Sequence, residues 1–281
     1  MQLTTCTPDS EIQLVRPSTR NTPTCLGTHQ SLHWFKDAVT GPGSLTSYAY
    51  ANDDGAGRDA RMCIWYNTGN DTTGALSRSK KIANTASKLL GTDLYHYHSK
   101  IMMKDARDGG RFVWHQDYGY WYSFGYLFPD MLTVFMALDP CGRENGCLQV
   151  IRGSHRCGRI DHSVVGDQKV ADLERVAQLE KRLETLHVEL KAGDAIFFHS
   201  NLLHSSSSNT SEQRRWAIAS AYNSVHNVPD KDEMVGKQCR GPIQQLDNEA
   251  VVKTGVNRDL SGKEVKVKRG AMFEFETFFP A

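Results

Sequence analysis

From residue 94 onward the chain is built of short runs rich in β-branched and aromatic residues. They cover 94–98, 100–103, 112–115, 132–138, 147–151, 186–190, 195–199 and 216–222. Gly, Pro, Asn or Asp clusters bound most of them, as at Asp108-Gly109-Gly110. Runs of this length between turn signals read as strands, and many of them in series predict a sandwich or barrel. Two stretches follow helical spacing instead. In 76–90, Ile82, Ala86, Leu89 and Leu90 share one face, and Gly91 supplies a stop. In 168–185, Val170, Leu173, Val176, Ala177 and Leu183 recur between charges, which predicts a helical insertion over about 165–186. Residues 1 to about 30 are rich in Ser, Thr and Pro without periodicity and read as a loose arm. Residues 51–57 read as a loop, and the last fifty or so are mixed and polar. The expectation is one domain over 1–281, mainly β with flanking helices, whose core spans about 94–222.

Composition narrows the function classes. A chain of 281 residues with 39% hydrophobic content is long enough for one large core. The formal charge of +1 comes without a basic block, so no nucleic-acid partner is expected. No apolar run is long enough to span a bilayer, and the start Met-Gln-Leu-Thr-Thr-Cys lacks the features of a secretory signal, so no membrane partner is expected. The seven cysteines (Cys6, Cys25, Cys63, Cys141, Cys147, Cys157 and Cys239) are scattered, odd in number and free of any C-x-x-C pair. That pattern fits free thiols in a reducing, cytoplasmic setting. A zinc site from Cys141, Cys147 and Cys157 has the wrong spacing for a knuckle. Nothing in the sequence sets the oligomeric state.

The chemistry resides in His115-Gln116-Asp117, His204 and Arg215. On a strand, residues two apart point to the same face, so His115 and Asp117 can reach one ion with Gln116 turned away. His204 follows the apolar run at 195–203 and must join from another element. Two imidazoles and a carboxylate can occupy one face of Fe(II), leaving the other open to a cosubstrate and O2. A hairpin from His204 through the polar loop 205–213 would return Arg215 beside that face. A guanidinium grips a carboxylate through two parallel hydrogen bonds, and Ser206 can add a hydroxyl. Alone, an H-x-D, a histidine after a strand or an arginine in a hairpin would be ordinary structure. Their ordered combination is what carries specificity. His96, His98, His155 and His199 read as packing or supporting residues, and Trp114, Tyr118, Tyr120, Trp121 and Tyr122 as pocket walls or core.

Four segments together resemble the phytanoyl-CoA dioxygenase family: WHQDYGYW at 114–121, ENGCLQV at 144–150, GSH at 153–155 and GDAIFFHSNLLH at 193–204. The resemblance runs from about residue 94 to 222 and implies a double-stranded β-helix, or jelly-roll, using Fe(II), 2-oxoglutarate and O2. It implies that His115, Asp117 and His204 bind iron and that Arg215 and Ser206 bind 2-oxoglutarate. It also places Lys100 and Phe135 in the cosubstrate pocket. Retention of Asp117 argues against the halogenases of that family, in which a small residue replaces the metal carboxylate. Hydroxylation of an unactivated C–H in a small molecule is the first expectation. An acyl-CoA substrate, a desaturation, epimerisation or cyclisation outcome, and a non-catalytic metal-binding jelly-roll remain alternatives.

Overall fold

Every position of the strand Met131–Ala137 is buried, because both of its faces are covered. Its alternate residues Leu132, Val134 and Met136 meet one apolar cluster, and Phe135 and Ala137 meet another. This two-sided strand lies inside the larger sheet of a computed structural model. The structure describes residues 12–15, 49–66, 68, 72–230 and 241–254.

Thirteen strands are present among the described residues. They are β1 (Ile12–Val15), β2 (Ala49–Asp53), β3 (Asp59–Trp65), β4 (Leu94–Lys104), β5 (Phe112–His115), β6 (Met131–Ala137), β7 (Leu148–Ile151), β8 (His162–Val165), β9 (Gln168–Ala171), β10 (Thr185–Val188), β11 (Ala195–His199), β12 (His204–Ser206) and β13 (Arg215–Ser224). The larger sheet has the order β1-β11-β6-β13-β4-β3-β2, the smaller β10-β7-β12-β5, and β8-β9 form a separate hairpin. All pairings within these sheets are antiparallel. From β4 to β13 the chain crosses repeatedly between the two sheets, so strands distant in sequence become neighbours. That is the expected jelly-roll topology.

The inner cluster joins Phe135, Ile196, Phe198, Ala217 and Ala219 of the large sheet to Phe112, Leu148 and Val150 of the small one. The outer face of the large sheet is sealed by α2 (Lys80–Leu90), whose Ile82 and Ala86 pack on Ile101, Val134 and Ile218. Gly91 ends α2 in the left-handed region at φ 69°, where its N–H donates to the carbonyl of Ser87. No helix among the described residues is long and apolar enough to cross a membrane.

Several expectations need correction. The single helix expected over 76–90 is two, α1 (Thr72–Ser77) and α2, separated where Ser79 bridges to Leu246. The runs at 94–98 and 100–103 are one strand, β4, with a bulge where the register with β13 passes from Ala221 opposite His98 to Tyr222 opposite His96. The insertion expected over 165–186 holds the strand β9 before a short helix, α4 (Leu173–Glu180). Gln168–Ala171 pairs with His162–Val165 in a hairpin that turns at Gly166 (φ 58°), and this strand pairing outweighs the helical spacing. Part of the stretch expected as a loop over 51–57 belongs to β2, which pairs with β3. Within the expected N-terminal arm, β1 pairs with β11, and the rest of that arm lies outside the described residues. The polar tail contributes α5 (Asn248–Thr254).

Candidate metal centre

His115 ends β5, and His204 opens β12 directly opposite it, so the two imidazoles are cross-strand neighbours with ring centroids 4.2 Å apart. Nδ1 of His115 donates to the carbonyl of Val113 at 2.7 Å, and Nδ1 of His204 to that of Leu202 at 2.9 Å. Each bond runs two residues back along the chain and leaves Nε2 as the free lone pair. Asp117 does not extend the strand, as the sequence pattern suggested. Gln116 is extended at φ −109° and Asp117 begins the helix α3 (Asp117–Ser123). The turn brings the carboxylate to the histidines all the same. Ligand atoms of His115, Asp117 and His204 lie within 4.8 Å of one another, and Nε2 of His204 is 3.9 Å from Oδ1 of Asp117.

All three side chains are buried. Burial alone would raise the Asp117 carboxyl. His204, Lys100 and His115, with the hydroxyl of Thr133, hold it below its ordinary range. Thr133 donates to Oδ2 at 2.5 Å and leaves Oδ1 facing the histidines. Burial also depresses both histidines, aided at His115 by His204, so the neutral imidazoles that a metal requires are favoured.

Arg215 reaches this region by a route other than a hairpin. His204 lies in the small sheet and Arg215 begins β13 in the large one, so the loop between them crosses the sandwich. The guanidinium is buried, donates from Nη2 to the carbonyl of Gly146 at 2.9 Å and lies 5.6 Å over the Phe135 ring. Among the described residues its Nε and Nη1 have no hydrogen-bond partner, and neither does the buried hydroxyl of Ser206 on β12. Gly146 connects the two segments. A Cβ there would sit 2.3 Å from the carbonyl of Ser207, beside Ser206.

Sheet register puts these groups in rows. Lys100, Ala219, Phe135 and Ile196 are successive cross-strand partners, and so are His98, Ala221, Thr133 and Phe198 one row along. Directly paired residues share a face. Phe135, under the guanidinium, is therefore one row from Thr133, which holds Asp117. Two residues along a strand span about 6.6–6.8 Å. A five-carbon 2-oxo diacid is of similar length. Ala217 and Ala219 keep the floor between them low. Half-buried Lys100 has no hydrogen-bond or ion-pair partner within the described residues.

The sequence reading missed several supporting groups. Thr133 was detectable only as the residue two before Phe135 on an alternating strand. Lys104 was not legible at all. It pairs with Arg215 across β4 and β13, and its Nζ donates to Gly110 and Ser207 carbonyls at 2.5 and 2.6 Å. His98 turns inward beside Trp121 because the bulge puts both it and Tyr97 against that ring. Burial pushes His98 down to about 3, with Lys100 adding to the effect. His96 faces the other way, within 2.7 Å of the Ser99 hydroxyl.

The profile of the phytanoyl-CoA dioxygenase (PhyH) family matches residues 25–217. L-proline trans-4-hydroxylase of Streptomyces griseoviridis is 33% identical over 170 residues, covering 55% of this chain and 63% of that protein. Ectoine dioxygenase of Bordetella bronchiseptica is 28% identical over 197 residues, covering 62% and 64%. The chain thus spans just under two thirds of these relatives. Among solved structures, EctD from S. alaskensis with 2-oxoglutarate and 5-hydroxyectoine superposes with a TM-score of 0.68 at 20% identity, over 85% of this chain and 84% of that one. A carbocyclase from nogalamycin biosynthesis superposes with a TM-score of 0.57 at 18% identity, over 85% and 90%.

Proposed function

The chain belongs to the phytanoyl-CoA dioxygenase family, and on that premise we propose that it is an Fe(II)- and 2-oxoglutarate-dependent dioxygenase that hydroxylates an unactivated C–H of a small molecule. One observation carries this reading: a buried arginine, with two guanidinium nitrogens unpartnered among the described residues, sits over Phe135, one sheet row from the Thr133 that holds Asp117 beside the two histidines. The donor set fits Fe(II), since two neutral imidazoles and a carboxylate on one side leave positions open. His115, Asp117 and His204 would hold the metal. When bound, the iron supplies oxygen activation coupled to decarboxylation of 2-oxoglutarate, giving succinate and CO2.

The protein's own residues bind and orient. Arg215 and Ser206 would take the distal carboxylate, since each offers a donor that no described residue satisfies. Phe135 floors that pocket, and Lys100 places a cation near its metal end. Thr133 fixes which Asp117 oxygen faces the metal. Tyr120, edge-on to His115 at 5.8 Å, and Trp121 cover the site and limit water.

For the substrate, a free small molecule is favoured. The relatives named for proline and ectoine support it, as does the aromatic wall of Tyr97, His98 and Trp121. The buried thiols Cys63, Cys141 and Cys147 suit a reducing compartment, in keeping with a cytoplasmic enzyme. The test is an anaerobic optical titration with Fe(II) and then 2-oxoglutarate. A visible charge-transfer band requiring both, and missing in His204→Ala, is expected. Its absence from folded, iron-loaded protein would refute the reading.

A further inference from the structure

Gln116, the middle residue of the H-x-D motif, is completely buried, and all its side-chain hydrogen bonds go to backbone. Nε2 donates to the carbonyls of Gly158 and Asn201 at 2.8 and 2.7 Å, and Oε1 accepts the N–H of Ile160 at 2.7 Å. Only one orientation of the amide satisfies all three partners. The backbone N–H of Gln116 donates to Nε2 of His162 at 2.9 Å, and Nδ1 of His162 donates to the carbonyl of Ile160 at 2.8 Å. The segment 158–162 is therefore clasped from both sides.

The partners lie where the metal arms need support. Asn201 immediately precedes Leu202, whose carbonyl orients the His204 imidazole. The N–H of Tyr118 donates to the carbonyl of Ser200 at 3.0 Å, a second tie between the same segments. The approach is close as well. A Cβ on Gly119 would fall 2.2 Å from the His162 ring, so α3 and 158–162 touch where no side chain fits.

We infer that Gln116 is a positioning residue that locks the Asp117 turn, the His204 approach and the 158–162 segment into one unit, so that metal binding at the trio and ordering of that segment are coupled. This rests on the metal assignment made above. The physical case is that three backbone groups, two of them buried, share one amide. Losing it leaves the two buried groups unsatisfied at once, and both ligand-bearing segments lose their common reference.

The experiment uses the full chain, Fe(II) competed against a chelator under anaerobic conditions, and amide exchange with and without Fe(II). Gln116→Glu keeps an acceptor for Ile160 but turns an oxygen toward two carbonyls. Gln116→Leu removes every side-chain bond, and Ile101→Val, in the outer core, controls for general destabilisation. Gln116→Glu is expected to weaken Fe(II) binding by about 10–100-fold, the usual scale for supporting groups. Exchange at 158–162 and 200–204 should rise together in the apo variant while β13 stays protected. In the wild type, Fe(II) should slow both segments. Fe(II) affinity within two-fold of wild type in folded Gln116→Glu overturns the inference. So does an equal loss in Ile101→Val, or exchange that rises across β13 as well, since either would make Gln116 ordinary core. A wild-type chain that binds no Fe(II) overturns the metal assignment itself, and the brace with it.

Discussion

A guanidinium buried with two idle N–H groups is costly to a fold unless something arrives to meet them, and at Arg215 the arriving group is predicted to be a carboxylate. Arg215→Ala should weaken 2-oxoglutarate binding by about 1.5–3 kcal/mol, the range for a charged hydrogen bond, while Fe(II) binding stays intact. Titration of the metal-dependent optical band measures both. Unchanged cosubstrate affinity would transfer the role to Lys100 or Lys104. At this scale the sequence was informative where chemistry is unusual. His115, Asp117, His204 and Arg215 stand out because residues of those types, in that order, have few other uses. Thr133, Lys104 and Gln116 do not stand out, because a threonine, a lysine and a glutamine are ordinary until a partner is known. Each has a partner far along the chain, 16, 103 and 85 residues away respectively.

Elements decide how those residues meet. On β13, alternate residues Ala217, Ala219 and Ala221 follow Arg215, and Ala219 and Ala221 lie in the rows that hold Phe135 and Thr133. Ala219→Leu would fill the row between Lys100 and Phe135. Overpacking costs roughly 1–3 kcal/mol of stability, so the variant should fold, bind Fe(II) and fail to bind 2-oxoglutarate. Normal cosubstrate affinity in this variant would place the pocket elsewhere. A second prediction concerns the start of β5. Asp54 accepts the N–H groups of Ala56, Arg58 and Arg111 at 2.8, 3.1 and 3.0 Å and so anchors the segment leading to His115. Burial alone would raise this carboxyl, but the three N–H groups outweigh it and hold it below its ordinary 3.8. A depressed folded value stabilises at pH above the unfolded value and loses that stabilisation as pH falls through the folded one. Asp54→Asn should therefore lower the Tm at pH 7 and flatten the acid limb of stability below about pH 4, seen by thermal melts across pH. An unchanged acid limb would discard the anchor. Runs of β-branched and aromatic residues between turn signals made β6, β11 and β13 legible in the sequence. The hairpin expected from His204 to Arg215 failed because sheet membership depends on which distant strand is adjacent, and local pattern carries no such information.

At the scale of the molecule, the two histidines and the arginine belong to different layers. His115 and His204 lie on the small sheet, while Thr133, Phe135, Lys100 and Arg215 lie on the large one. Ligands bound between the sheets then act as ties across the sandwich and favour only the assembled state. A ligand that binds the folded chain alone stabilises it by about 2.7 kcal/mol at a hundred times its Kd. For a chain of this size each kcal/mol moves the Tm by about 2–4 °C. Fe(II) at that excess should raise the Tm by roughly 5–10 °C, and 2-oxoglutarate added to the iron form should give a further step of similar size. If 1–281 is one folding unit, both steps shift a single transition, because unfolding either sheet destroys the site. Arg215→Ala should keep the first step and lose the second, whereas Asp117→Ala should lose both, since the cosubstrate's near end has no metal to meet. Calorimetry or dye-monitored melts under anaerobic conditions give the comparison. Two transitions with only one responding to ligand would divide the chain into separate units. A 2-oxoglutarate step that survives in Arg215→Ala would mean that the cosubstrate does not bridge the sheets through this residue.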